Sequence, residues 1–292
     1  MHSRHEMMSP TISPPGPARR LTPWIIAALL LALFFPVLRW LVSEWLGNDF
    51  YSHGLLVPFI SAFVAWRLWT RRPPAITTSG DSWAGLALTV GSLAVYLLAL
   101  AQRAYFAASL AMVAALAGLV WYLLGGAALR RLAFPILFLL FMIPLPFVEP
   151  LSVPLAQATG TVAAQTVRLF GVPISINGAQ VTLPNANLVV GAQCSGLRSI
   201  VALLTLVALF VFAVQGPAWG KWVLALSAIP IAAFGNIVRV SSLLGVAHVW
   251  GADIGFTYYH DYSGILFFAS AVLLLILASR LVQCNEIRGD LF

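Results

Sequence analysis

A cysteine, an arginine and a histidine occupy three places where polar residues meet long apolar segments. Cys194 lies at the end of a polar connection directly before one such segment, Arg239 lies inside a second, and His260 precedes a third. A thiolate is a strong nucleophile, an imidazole transfers protons near neutral pH, and a guanidinium keeps its charge at any usable pH. This combination of residue types predicts covalent catalysis by a cysteine.

The spacing of charged residues predicts that the three side chains lie at similar depth. Arg239 follows Lys221 by 18 residues, which is about 27 Å along an α-helix. His260 precedes Arg280 by 20 residues, which is about 30 Å. Cys194 begins an apolar segment of similar length. If the far ends mark one membrane surface, the thiol, the guanidinium and the imidazole meet near the other.

In this arrangement Cys194 is predicted to be the nucleophile and His260 the general acid and base. Arg239 would stabilise the thiolate or the oxyanion of a tetrahedral intermediate. A cysteine at a helix N-terminus also feels the positive end of the helix dipole, which lowers the pKa of its thiol. The competing interpretations are structural: a lone cysteine packs as a small apolar residue, and an arginine near a span end extends to the lipid headgroups.

Two polar residues near this trio are predicted to support it. Arg198 follows Cys194 by four residues, so a continuous helix would place both on one face and make Arg198 a second candidate for the cationic role. Asn236 contributes to a polar face around Arg239. Polar residues inside a membrane span are costly, and their presence indicates function.

Two more polar positions complete the predicted site. Asp261, next to His260, would orient the imidazole, and His53 would line the site or contact a substrate. The second cysteine, Cys284, is predicted at the opposite membrane surface, about 30 Å from Cys194, so the two cannot form a disulfide or a zinc site. The residue pattern indicates neither a metal ion nor an organic cofactor.

The composition identifies the solvent around this chain. Apolar residues make up 61% of its 292 residues and charged residues 9%, and the mean hydropathy is +0.93. A soluble domain has no use for so much apolar surface, so the sequence predicts an all-α polytopic protein embedded in a lipid bilayer. The net charge of +7 comes from short basic pairs at segment ends, which set membrane orientation and do not indicate a nucleic-acid partner.

Windows of about 20 apolar residues predict eight transmembrane helices. They are Trp24–Val42, Leu55–Trp69, Trp83–Ala101, Tyr105–Leu124, Leu132–Val148, Gly196–Val214, Trp222–Leu244 and Gly264–Leu281. The second window is short, and the fifth contains three prolines, which disturb a helix. The helices are predicted to form one catalytic domain, residues 23–282, between an N-terminal tail of residues 1–22 and a C-terminal tail of residues 283–292.

Basic residues predict that both termini lie in the cytoplasm, because inward-facing loops of membrane proteins are enriched in lysine and arginine. With that orientation, eleven of the 16 basic residues face inward: Arg4, Arg19, Arg20, Arg67, Arg71, Arg72, Arg130, Arg131, Lys221, Arg280 and Arg288. The remaining five face outward: Arg39, Arg103, Arg168, Arg198 and Arg239. The predicted site would then face the periplasm or the outer surface.

One long connection, residues 149–193, is predicted on the outer side. Its first half, Val153–Phe170, mixes small apolar and polar residues and favours an amphipathic helix on the membrane surface. Its second half, Val172–Val190, alternates β-branched residues around Asn177-Gly178, which predicts a hairpin able to pair with an extended peptide. An irregular capping loop is an equally good interpretation of the second half.

The order and spacing of four motifs resemble the exosortase/archaeosortase family of polytopic cysteine transpeptidases. The motifs are Tyr51-Ser52-His53-Gly54, Cys194-Ser195-Gly196-Leu197-Arg198-Ser199, Asn236-Ile237-Val238-Arg239-Val240 and His260-Asp261-Tyr262-Ser263-Gly264. The resemblance covers nearly all of residues 24–282. It implies an active site of Cys194, Arg239 and His260 on the outer side. One difference is that Ala192-Gln193 stands where family members often carry an acidic residue before the cysteine.

The resemblance also implies a cysteine protease or transpeptidase of the bacterial inner membrane, linked to exopolysaccharide systems. Its substrates would be exported, membrane-anchored proteins with a C-terminal sorting signal: a Pro-Glu-Pro-type motif, a transmembrane helix and a basic cluster. Cleavage would form a thioacyl intermediate and pass the new carboxyl end to an acceptor that the sequence does not identify. Two alternatives remain open: a transporter or permease with Arg239 and His260 along its pathway, and a non-enzymatic component of polysaccharide export.

Overall fold

The computed structural model describes residues 17–74, 83–178, 180–184, 186–189, 191–251, 254–289 and 291. This part of the chain is mostly helical. It forms nine α-helices: α1 (Pro17–Gly47), α2 (Val57–Arg71), α3 (Trp83–Ala101), α4 (Tyr105–Leu124), α5 (Gly126–Phe138), α6 (Val148–Leu169), α7 (Leu197–Ala213), α8 (Ala218–Trp250) and α9 (His260–Leu281). Most of the predicted N-terminal tail lies outside the described residues, and its last six residues already belong to α1.

Five stretches within the described residues are long and apolar enough to cross a membrane: Ala28–Gly47, Trp83–Ala101, Tyr105–Leu124, Ala218–Trp250 and Tyr262–Leu281. Helix α7 is apolar but has 17 residues. Helices α2 and α5, with 15 and 13 residues, rise about 22 and 20 Å, which is less than the roughly 30 Å hydrocarbon thickness. The chain is a multi-pass membrane protein, and the predicted count of eight complete spans is not confirmed.

Proline chemistry explains why the fifth predicted span is short. After α5 the chain forms one 3₁₀ turn, Leu139–Met142, and Ile143 is extended, with φ −88° and ψ 121°. The residue before a proline is driven out of the helical region, and Pro144 follows Ile143. The segment is held against α1, where the indole N–H of Trp45 donates to the Met142 carbonyl at 2.8 Å.

The long connection after α5 contains a helix and a small sheet. A helix was predicted over Val153–Phe170, and α6 occupies Val148–Leu169, with its buried small residues packed against α8. The strands β1 (Ser175–Asn177), β2 (Gln180–Leu183) and β3 (Ala186–Val189) then pair antiparallel in that order. Asn177 lies opposite Gln180 across the first turn, and the third strand was not expected from the residue pattern.

The C-terminal segment is packed against the helices, although the sequence predicted it as a tail. The two-residue strands β4 (Val214–Gln215) and β5 (Glu286–Ile287) pair antiparallel at the end of α7. Leu291 is buried beside α2, and Nε of Arg67 donates to the Leu291 carbonyl at 2.7 Å. Cys284 is buried here as a free thiol, in a different apolar cluster from Cys194.

Helix α8 is the element on which the site is built. Its 33 residues span about 50 Å, and it packs against α6, α7 and α9. A π-helical turn, Ile254–Tyr259, leads from α8 into α9. Gly255 allows this turn to approach α8 closely, because a Cβ at that position would lie 3.0 Å from the Cβ of Ala247. This contact holds the turn that precedes α9 against the last turn of α8.

Candidate active site

Cys194 lies in a 3₁₀ turn, Ala192–Cys194, and not in the first turn of a helix. Helix α7 begins at Leu197, and Gly196 separates it from the cysteine in a left-handed conformation with φ +77°. The prediction that Cys194 begins the helix is therefore wrong: two residues separate the cysteine from the first residue of α7. The side chain is 5% exposed and packs among apolar residues of α6, α8 and the small sheet.

Gly196 meets two requirements that exclude other residues. Its positive φ is strained for residues with a Cβ, and a Cβ there would lie 2.6 Å from Cγ of Asn236. The turn after Cys194 consequently sits directly on α8. This contact brings the cysteine segment and the Asn236 side chain together.

We expect Gly196→Ala to lower both stability and any activity that depends on Cys194. The left-handed backbone alone costs about 1–2 kcal/mol for alanine, and the clash with Asn236 adds to it. The thermal unfolding midpoint of the purified protein in detergent would measure the loss. Gly191→Ala is the matched control, since Gly191 has φ −80° and a Cβ there would meet nothing within 4 Å. Equal midpoints for the two variants would contradict the prediction.

Asn236 ties α8 to the backbone of the cysteine. Its Nδ2 donates to the Cys194 carbonyl at 2.8 Å, and the residue is 5% exposed. Its Oδ1 is buried and has no hydrogen-bond partner among the described residues. Burying an amide oxygen without a partner costs free energy, and packing alone does not require an amide at this position. The hydrogen bond from Asn236 fixes the position of the Cys194 backbone.

Arg239 joins α8 to the first turn of α9. Its Nε donates to Oγ of Ser263 at 3.2 Å, and Ser263 is buried. The next residue, Gly264, lies beside the guanidinium: a Cβ there would be 3.6 Å from Nη2 of Arg239, an ordinary van der Waals contact. Ser263 and Gly264 belong to one of the four sequence motifs, but no role was predicted for either residue.

Two opposing effects act on the thiol. Burial raises the pKa of Cys194, while the Arg239 guanidinium and then the Gly191 backbone lower it, and the net direction is upward. The resting thiol is therefore protonated at neutral pH. Among the described residues, Arg239 is the charged group that favours the thiolate, which is the form that attacks a carbonyl.

A cavity of about 650 Å³ opens beside Arg239, between α2, α7 and α9. Its polar lining consists of Ser52, His53, Arg198, Ser199, Thr205 and Arg239. The apolar lining continues along α7 as far as Leu209, about 17 Å from Arg198. The described lining contains two arginines and no acidic residue. Cys194 is not part of this lining, but the charge of Arg239, which does line the cavity, acts on the Cys194 thiol.

Arg198 does not share a helix face with Cys194. The left-handed Gly196 interrupts the helix between them, so the four-residue spacing carries no helical meaning, and that prediction is wrong. Arg198 is exposed and forms an ion pair with Asp49 at 3.7 Å, while also lining the cavity. Asp49 was missed because it lies about 150 positions away in sequence and only the fold brings it near.

The other predicted residues lie around the same region. His53 belongs to a 3₁₀ segment, Asp49–Leu55, and lines the cavity. His260 and Asp261 are the first two residues of α9, and their side chains lie outside the described part. Position 260 is one helical turn before Gly264, which contacts Arg239.

A hydrogen-bonded chain fixes the approach to α9. The Tyr259 hydroxyl donates to Oγ of Ser242 at 2.7 Å, and that hydroxyl donates to the Arg239 carbonyl at 2.8 Å. The residue before His260 is thus tied to the backbone of Arg239. Tyr259 is also the last residue of the π-helical turn, a form enriched at functional sites.

Comparison with known families decides the family of this chain. A family model described as transmembrane exosortase (Exosortase_EpsH) matches residues 40–277, which is 238 of the 292 residues. The chain belongs to the exosortase family. Searches of curated proteins and of solved structures find no match.

Within this exosortase, the structure brings together three of the residues expected from sequence: Cys194, Asn236 and Arg239. The matched region also contains the cavity residues His53 and Arg198. Catalytic roles for all of these residues, and for His260, remain predictions.

Proposed function

We propose that this exosortase is a membrane-embedded cysteine protease or transpeptidase. It cleaves C-terminal sorting signals of exported proteins, each consisting of a Pro-Glu-Pro-type motif, a transmembrane helix and a basic tail. The observation that carries the proposal is Arg239, whose charge opposes the rise that burial causes in the pKa of the Cys194 thiol, and which also lines the cavity. A cation that acts on the nucleophile and also lines a cavity suits acyl transfer.

The proposed reaction has two steps. The Cys194 sulfur attacks the scissile carbonyl carbon, and the carbonyl electrons move to oxygen as the C–S bond forms. When the tetrahedral intermediate collapses, the C–N bond breaks, and the leaving nitrogen takes the proton that His260 received from the thiol. The acceptor, an amine, an alcohol or water, then attacks the thioester and releases the Cys194 thiol.

Arg239 carries out the electrostatic part of both steps. Because a guanidinium does not lose its proton, it stabilises the thiolate before attack and the oxyanion after it. The bond from Nε of Arg239 to Ser263 fixes the orientation of the guanidinium in the cavity wall, where an oxyanion would develop. His260 is the proposed proton carrier, since it begins the helix that holds Ser263.

The cavity suits a substrate that changes from polar to apolar along its length. Charged and imidazole side chains lie at the starts of α7 and α2, and Leu206, Leu209 and Ile60 lie further along. A sorting motif joined to a transmembrane helix has the same order of polarity. The proposed setting is the bacterial inner membrane, with both termini in the cytoplasm and the site facing the periplasm, in systems linked to exopolysaccharide.

A trapping experiment tests the proposal. The purified full-length chain in lipid nanodiscs is mixed with a tagged reporter that ends in the three-part signal, and the reaction is stopped with acid. Mass spectrometry should find the peptide containing Cys194 acylated by the amino-terminal fragment of the reporter, and hydroxylamine should release that fragment. Cleavage of the reporter without any adduct on Cys194, or without hydroxylamine sensitivity, would overturn the thioacyl mechanism.

A further inference from the structure

His53 has an unsatisfied ring nitrogen in the wall of the cavity. Its Nε2 is buried and has no hydrogen-bond partner among the described residues. Burial lowers the pKa of His53, and the Phe141 carbonyl raises it by less, so the ring is neutral near pH 7. Because Nε2 has no partner, Nδ1–H is the group that donates to the Phe141 carbonyl. The lone pair of Nε2 therefore receives no hydrogen bond from the described residues.

The segment that carries His53 is rigidly attached. The Tyr51 hydroxyl accepts a hydrogen bond from the Leu145 N–H at 2.7 Å and lies 3.3 Å from the Leu145 carbonyl, and Tyr51 is 2% exposed. Gly54 packs directly against the indole of Trp45, where a Cβ would clash. The backbone around His53 is thus held in place, and for Nε2, which is buried in this structure, to reach a group in the cavity only the side chain has to rotate.

The surroundings of His53 identify the kind of group that would satisfy it. The described cavity lining supplies the cations Arg198 and Arg239, which attract carbonyl and carboxylate oxygens, and Ser52 beside the histidine. A neutral imidazole nitrogen takes a hydrogen-bond donor and rejects an oxygen that can only accept. A polypeptide in extended form presents both kinds of group in alternation, carbonyl oxygens and backbone N–H groups.

We propose that Nε2 of His53 accepts a hydrogen bond from a backbone N–H of the substrate segment bound in this cavity, and so sets the register in which a carbonyl reaches Arg239. His53 is thereby a positioning and specificity residue, distinct from the acid–base role proposed for His260. The inference rests on the proposed function, since it requires a polypeptide substrate.

Two amide substitutions separate the two nitrogens of the ring. The amide of His53→Gln reaches the place of Nε2, whereas that of His53→Asn reaches only the place of Nδ1, next to the Phe141 carbonyl. The full-length variants in nanodiscs are assayed for cleavage of the tagged reporter, with KM and kcat determined separately. His248→Gln, a histidine of α8 outside the described cavity lining, is the control for a histidine-to-glutamine change.

We expect His53→Asn to raise KM about five- to tenfold with kcat changed less than threefold, as for loss of one hydrogen bond. His53→Gln should keep KM within about threefold of the wild type, as should His248→Gln. Three results would overturn the inference. If asparagine preserves KM better than glutamine does, the role of His53 is to hold Phe141. The inference also fails if both variants match the wild type, or if kcat falls while KM is constant.

The result is independent of the test of the proposed function. If reporter cleavage does not require Cys194, the proposed function fails whatever the His53 variants do. If cleavage requires Cys194 and KM does not respond to His53→Asn, the proposed function stands and the inference about His53 fails. Equal yields of each variant in membranes, together with equal unfolding midpoints, exclude misfolding as the source of a change in KM.

Discussion

Replacing Cys194 with alanine is expected to lower the rate of reporter cleavage by roughly 10³- to 10⁶-fold, as removal of the nucleophile does in other covalent proteases. Cys194→Ser should be nearly as inactive, because a hydroxyl is far harder to ionise than a thiol and the site supplies its cation for a thiolate. Cleavage of a co-expressed reporter, followed by immunoblot of membranes, measures both variants against the wild type.

The second cysteine supplies the matched control. Cys284 is fully buried in a separate cluster near the C-terminal segment, so Cys284→Ala should retain wild-type cleavage. The alanine at position 194 leaves the bond from Asn236 in place, since that bond is made to a backbone carbonyl. Undiminished processing by Cys194→Ala and Cys194→Ser, at normal protein levels, would contradict catalysis by this cysteine.

Apolar periodicity locates helices accurately where a helix is apolar from one polar boundary to the next. The predicted windows Trp83–Ala101 and Tyr105–Leu124 have the same bounds as α3 and α4. Hydropathy reports lipid contact and not backbone hydrogen bonding, so the window ending at Leu244 misses the last six residues of α8. It also cannot detect that Pro144 ends the helical part of the fifth window.

The local structure around Cys194 depends on a contact that no local pattern contains. The apolar pattern extends the α7 helix back to the cysteine, which placed Arg198 on its face. In the structure Gly196 is left-handed, Asn236 fills the space where its Cβ would be, and Arg198 turns to Asp49. The polar face around Arg239 was still recognisable from sequence, because polar side chains are rare in an apolar helix.

The meeting of three groups at one depth of the membrane stays a prediction, and the structure relates two of them to each other. Arg239 acts on the Cys194 thiol, although the segments that carry them are about 45 residues apart. An estimate of depth from helical rise tolerates errors of a few residues, which change a position by only about 5 Å. The partner Ser263 and the tie from Tyr259 to Ser242 required the packing of α9 against α8, which sequence does not specify.

Replacing Arg239 with glutamine is expected to lower kcat/KM about 10²- to 10³-fold at pH 7. The loss combines two effects: the oxyanion loses its charged donor, and the thiol loses the cation that opposes burial. Because burial already raises the pKa of Cys194, removing the guanidinium moves that pKa further up. The thiolate is the reactive form, so the rising limb of the pH–rate profile should shift to higher pH, and part of the lost rate should return in alkaline buffer.

Arg239→Lys separates charge from geometry. Lysine keeps the positive charge, so the rising limb should stay near its wild-type position, while the maximum rate falls because one ammonium cannot bond Ser263 and an oxyanion in the same way. Ser263→Ala removes the partner of Nε and should lower kcat about threefold to tenfold without shifting the limb. If the pH–rate profile of Arg239→Gln keeps the rising limb of the wild type, Arg239 does not affect the pKa of the thiol. If the limb of Arg239→Lys shifts as far as that of Arg239→Gln, the positive charge is not what sets this pKa.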